Sequence, residues 1–70
     1  MDLDIYVVGF EILEADRGII ERSAYLYTNY EEACEAFEEE KERNRRDDME
    51  VRYAFMATFS GGYMSDFESS

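Results

Sequence analysis

Between Glu31 and Glu42 the chain carries seven glutamates and one lysine. Carboxylates at this density can share a proton in acid–base catalysis, hold a hard cation, or present fixed negative charge to a cationic surface. Paired-acid hydrolysis needs two carboxyl groups flanking a cleft at a defined separation, one of them with a raised pKa. A chain of 70 residues offers little cleft. With no histidine in the sequence, there is no ordinary Ser–His or Cys–His pair, no imidazole ligand and no proton shuttle near neutral pH. Cys34, the single cysteine, stands among glutamates and lacks the electropositive surroundings of a nucleophilic thiolate, so it reads as a structural, buried residue.

Cation binding is the second possibility. Glu39-Glu40-Lys41 resembles the Glu-x-Lys fragment of metal-dependent nucleases, but on a helix positions two apart point about 200° from each other and cannot share one metal. Asp47-Asp48-Met49-Glu50 has oxygen ligands, yet lacks the glycine and the regular alternation of an EF-hand loop. Beside Arg43, Arg45 and Arg46 it reads as a solvated turn. A metal-dependent activity at Asp47, Asp48 and Glu50 is the only enzymatic alternative left, and the expectation is a non-enzymatic chain with no metal and no cofactor.

The third possibility is the charge itself. Seven acids and one base from Glu31 to Glu42 give a net of about -6 along roughly 18 Å of helix, or one charge per ~3 Å. One strand of duplex DNA carries one per about 3.4 Å. Glu31, Glu35, Glu38 and Glu42 follow the helical period and share one outward flank. Such a row can occupy the basic groove of a nucleic-acid-binding protein, with steering and counterion release on the partner's side. The plainer reading is a solvated helix face supported by pairs such as Glu39 with Arg43 and Glu42 with Arg46. Adaptation to high salt is a third account, suggested by six arginines against one lysine.

These side chains need elements to position them. Ile5 to Leu13 is apolar at both parities and rich in β-branched and aromatic residues, as expected of a central strand. Glu14 to Gly18 carries turn chemistry, and Ile19 to Thr28 reads as the second strand of a hairpin. A capping box, Thr28 with Glu31 or Asn29 with Glu32, opens a helix whose apolar stripe is Tyr30, Ala33, Cys34, Phe37 and the stem of Lys41, ending near Asn44. Met49 to Phe59 alternates as a strand, Gly61-Gly62 suits a two-residue hairpin turn, and Tyr63 to Phe67 is a short edge strand or flexible tail. The expected fold is α+β in the order β-β-α-β, a three- or four-stranded, mainly antiparallel sheet with the first strand between the second and third and one helix on one face.

A net charge of -11 nearly excludes direct binding to nucleic acid, because phosphates repel such a chain. A hydrophobic content of 46% argues for a single folded domain over residues 1–70. One cysteine and no stapling bridge suit a cytoplasmic setting. An acidic start and a longest apolar run of Ile5 to Phe10 encode neither export nor membrane insertion. Together these features lead us to expect an acidic inhibitor, of the kind phages and mobile elements direct against host defence, that mimics nucleic acid and blocks a basic nucleic-acid-binding protein. Its contacts would be Glu31, Glu35, Glu38, Glu39, Glu42, Asp47 and Asp48, supported by Asp66 and Glu68. The alternative is a homodimeric accessory module acting through the sheet face the helix leaves open, with Tyr25, Tyr27 and Met56 as the self-association residues drawn from Ile5, Val7, Tyr25, Tyr27, Ala54 and Met56.

Overall fold

A computed structural model describes residues 3–70. Strand β1 (Asp4–Glu14) turns through Ala15 to Arg17 into β2 (Gly18–Tyr27), helix α1 (Tyr30–Glu42) follows, and β3 (Arg45–Arg46), β4 (Glu50–Ser60) and β5 (Tyr63–Ser69) complete the chain. All pairings are antiparallel. β1 lies between β2 and β4, while β3 and β5 sit end to end along the far edge of β4. The α+β class, the order β2-β1-β4 and the central place of β1 agree with the expectation. The β-β-α-β arrangement does not: the sheet has five strands, because Arg45 and Arg46 pair with Arg52 and Val51 and two residues are too few to show a period.

Local chemistry accounts for the boundaries. Asn29, with extended backbone, caps α1 by accepting the Glu32 N–H at 3.1 Å, which selects Asn29 over Thr28. The helix ends at Arg43, whose N–H reaches the carbonyls of Glu40 and Lys41. At the last hairpin, Gly61 (φ 59°) and Gly62 (φ 85°) both occupy the left-handed region, as the tight turn matching strand twist requires. Residues 63–70 therefore neither fold back across the sheet nor hang free of it: β5 extends the sheet's edge, with Phe67 opposite Ala57 and Glu68 opposite Met56.

The helix packs on β1 and β4, touching β2 more lightly. Ala33 and Phe37 pack into a cluster with Val8, Ala54 and Met56, ringed by Tyr6, Tyr27, Cys34 and Ala36. Lys41 lays its stem along this stripe with Nζ 4.5 Å from the Phe37 ring centre. Tyr30, at the other end, stays mostly exposed and meets the Tyr6 ring at 5.4 Å. No helix among the described residues is long and apolar enough to cross a membrane.

At Gly9 the backbones of β1 and β2 leave no space for a side chain. A Cβ at this position would stand 1.9 Å from the Ser23 carbonyl oxygen and 2.8 Å from the Ala24 Cα, and backbone cannot yield as a side-chain tip can. Gly9→Ala is therefore expected to lower unfolding free energy by about 1–3 kcal/mol or more, read from the urea midpoint. An unchanged midpoint would show that the two strands can separate at no cost.

Candidate functional site

The apolar stripe of α1 fixes which glutamates can reach water. With Ala33 and Phe37 turned to the sheet, the 100° step per residue places Glu31, Glu35, Glu38 and Glu42 on the opposite flank, where all four are exposed. They recur every three or four residues, at a rise of roughly 4.5 to 6 Å. Glu32 and Glu39 stand beside the row and are also exposed, whereas Glu40 turns toward the sheet and is half-buried.

The cations are held elsewhere. Arg17 meets Glu14 at 3.8 Å, Arg22 meets Glu11 at 3.1 Å, and Arg45 meets Glu50. Glu40 takes two arginines, Arg43 at 3.6 Å and Arg52 at 2.6 Å. Lys41 pairs with Glu38 at 2.6 Å and, among the described residues, is the one base that touches the row. The pairs Glu39–Arg43 and Glu42–Arg46 do not form. Among the described residues Glu31, Glu32, Glu35, Glu39 and Glu42 have no cation within 4 Å. The outer flank of α1 thus keeps most of its charge uncompensated.

Arg52 is the residue that sequence reasoning missed. It is only 8% exposed, donates from Nη1 to the Glu40 carbonyl at 3.2 Å and from Nη2 to Glu40 Oε2 at 2.6 Å, and stacks 4.0 Å over the Phe10 ring. The signal was its place in β4 on the same face as Ala54 and Met56, where an arginine must find a partner. On the other face, Glu11 accepts from Arg22 and from the Tyr53 hydroxyl at 2.7 Å. That hydrogen bond is the main reason the Tyr53 phenol is raised above its ordinary pKa, with burial and the Glu11 charge adding to it.

Asp47 and Asp48 are exposed but lie in the turn from β3 to β4 rather than on the row. Asp47 Oδ1 accepts the N–H groups of Met49 at 2.9 Å and Glu50 at 2.8 Å, and Glu50 binds Arg45. This is a turn stapled by its own carboxylate. Among the described residues no three His, Cys, Asp or Glu side chains are grouped to hold a metal. Asp66 and Glu68 are exposed on β5.

The face assignment of the self-association residues needs correction. Tyr6 pairs with Tyr27, and Val8 with both Tyr25 and Met56; Ala54 pairs with Phe10. Because directly opposed residues share a face, Tyr25, Tyr27, Ala54 and Met56 all lie on the helix side. Met56 is core beneath Phe37, Tyr27 is half-buried against that cluster, and Tyr25 is 64% exposed beyond it. Of the expected set, Ile5 and Val7 face away from the helix. Strands apolar at both parities carry no alternation from which their register can be read.

No protein-family model, no curated protein and no solved structure matches the chain.

Arg52→Met is expected to destabilise the fold by about 3 kcal/mol, since it strands the half-buried Glu40 carboxylate. Arg43→Met, which removes an exposed partner of the same glutamate, should change stability by no more than about 0.5 kcal/mol; paired urea melts compare the two. Asp47 supplies a pH test. The Met49 N–H, then the Glu50 N–H, hold its carboxyl below the usual range, and Arg45 adds to this. The ionised form is thus favoured by the fold, so its stabilisation is present above the unfolded value of about 3.9 and is lost as pH falls through the lower folded value. Carboxyl-detected NMR should place the Asp47 midpoint below the ordinary aspartate range, and Asp47→Ala should remove the accompanying acid shift of the Met49 and Glu50 amides.

Proposed function

We propose that the chain is a non-enzymatic acidic binding protein whose helix occupies the basic nucleic-acid-binding surface of a partner protein, inhibiting it by standing in for the nucleic acid. The observation that carries this reading is where the bases go. Six of the seven form ion pairs, five of them with acids off the outward row, so Glu31, Glu35 and Glu42 stand exposed and without an internal counter-ion among the described residues. Like charges three and four residues apart repel by about 0.2–0.5 kcal/mol per pair, and a cationic partner relieves that repulsion.

A partner's basic groove suits this row better than a small ligand does. Exposed carboxylates on one convex helix offer no enclosure, and their attraction acts over the screening length of about 8 Å at physiological salt. Recognition would be steered over that distance and would weaken steeply with ionic strength. Asp47 and Asp48, in the turn between β3 and β4, would extend the contact. A role against host defence, in the manner of phage or mobile-element inhibitors, is the biological setting this proposal implies.

The test is charge reversal on the row and at Glu39 beside it. Immobilised chain is expected to retain proteins from a heparin-binding fraction of cell lysate at low salt and to release them to short duplex DNA. The triple variant Glu35→Lys, Glu39→Lys, Glu42→Lys should retain less than about a tenth as much with an unchanged circular dichroism spectrum. Retention that survives the triple variant, or that duplex DNA does not displace, would contradict the proposal.

A further inference from the structure

The sheet face turned away from α1 is covered by no element of the chain among the described residues, since α1 packs on the opposite face and β5 lies in the plane of the sheet. Its relief is uneven. Phe55, Phe59 and Phe67 form a ridge along β4 and β5, with Phe55 and Phe67 stacked at 6.1 Å and 16°. Beside it, on β1 and β2, Gly9 and its cross-strand neighbour Ala24 carry no side chain larger than a methyl. A two-fold axis running along the strands between β1 and β4 would set the ridge of one copy over the small residues of β1 and β2 of another, the reciprocal contact an isologous interface needs.

Charge selects the same occupant. Within this face the charged groups are Glu11 and Arg22, bound to each other with both Glu11 oxygens satisfied once the Tyr53 hydroxyl is counted, and Arg46, which lies opposite Val51 at the β3 edge and makes no ion pair among the described residues. A face whose one uncompensated charge, Arg46, stands at its rim, in a chain of net charge -11, suits a second copy of the same face better than it suits a charged partner. The molecule is a slab 15 Å thick, and stacking two slabs through their open faces, with the sheets about 10 Å apart, sets the acidic rows about 40 Å apart on opposite outer surfaces, several times the screening length of about 8 Å. The broad outline of 46 by 21 Å has room for the roughly 800 Å² per partner of a standard interface.

We infer that the open face is the interface of a homodimer, two sheets stacked as a sandwich about 10 Å apart with the helices outside. Side-by-side pairing through the free edge of β2 is the competing geometry. It would leave both apolar faces in water and bring the helices to one side of a continuous sheet, and it is therefore disfavoured by burial and by charge alike. The sandwich is independent of what the acidic rows bind, and it presents two of them, facing opposite ways, to separate cationic partners.

Sedimentation equilibrium over micromolar to submillimolar concentration tests the inference. The wild-type chain is expected at twice its 8.3 kDa mass, with a dimer that persists in high salt because it is held by apolar contact. Leu26 (73% exposed) and Phe67 (51% exposed) lie on the open face and contribute little to the monomer's core. The double variant Leu26→Ser, Phe67→Ser should therefore raise the dissociation midpoint at least about tenfold with an unchanged circular dichroism spectrum. Tyr25→Ser, on the helix side of the same strand, should leave it where it is. A monomer at every concentration overturns the inference. So does a dimer indifferent to the double variant, or one lost with Tyr25→Ser instead.

Discussion

The guanidinium of Arg52 reaches from β4 to the last turn of the helix, and that one contact fixes how α1 sits on the sheet. It binds both the carboxylate and the carbonyl of Glu40 while stacking on Phe10, so both the rotation of the helix and its position along the strands are specified at its C-terminal end. Phe37 and Ala33 bury the middle of the same stripe. With Glu40 drawn inward, the remaining period places Glu31, Glu35, Glu38 and Glu42 on the far side. A polar clamp of this kind is a weak source of net stability, because desolvation offsets much of its attraction, but an unpaired Glu40 in the same place would be costly.

The clamp also governs the distribution of charge. Glu40 collects Arg52 and Arg43, Glu50 takes Arg45, and Glu11 takes Arg22. These pairs neutralise the helix–sheet seam and the centre of the open sheet face, and among the described residues they leave Lys41 as the one cation bound on the outer flank. The slab therefore has two dissimilar surfaces. One is convex and acidic; the other is largely apolar, with Arg46 at its rim. Each exposed pair contributes at most about 1 kcal/mol, so their main effect is on where the field of the molecule is strong rather than on how stable it is.

The elements were legible wherever a period or a turn residue was unambiguous. Asn29 with Glu32 marks the helix start, Gly61-Gly62 marks the last turn, and the hydrophobic content of Ile5 to Leu13 marks a strand with neighbours on both sides. The outward row followed directly from the stripe of Ala33, Cys34 and Phe37. What the residues could not reveal was which face of β2 and β4 meets the helix. Tyr25, Leu26, Phe55 and Met56 are apolar neighbours of opposite parity, and only the pairing of Val8 with Tyr25 and Met56 decides between them. Strand β3 escaped notice because two arginines carry no pattern. Arg52 was hidden for a different reason: its partner is twelve residues away, beyond any local spacing rule.

The claim on which the account rests is that attraction for cations is concentrated on the outer flank of α1 rather than spread over an acidic surface. Titrating the isotopically labelled chain with a short oligo-arginine peptide, followed by amide and side-chain carboxyl NMR, measures this directly. The account predicts the largest shifts at Glu31, Glu35, Glu38 and Glu42, with saturation that disappears at high salt. Shifts of equal size at Asp16 and Glu21, acids that lie off the helix, would contradict it.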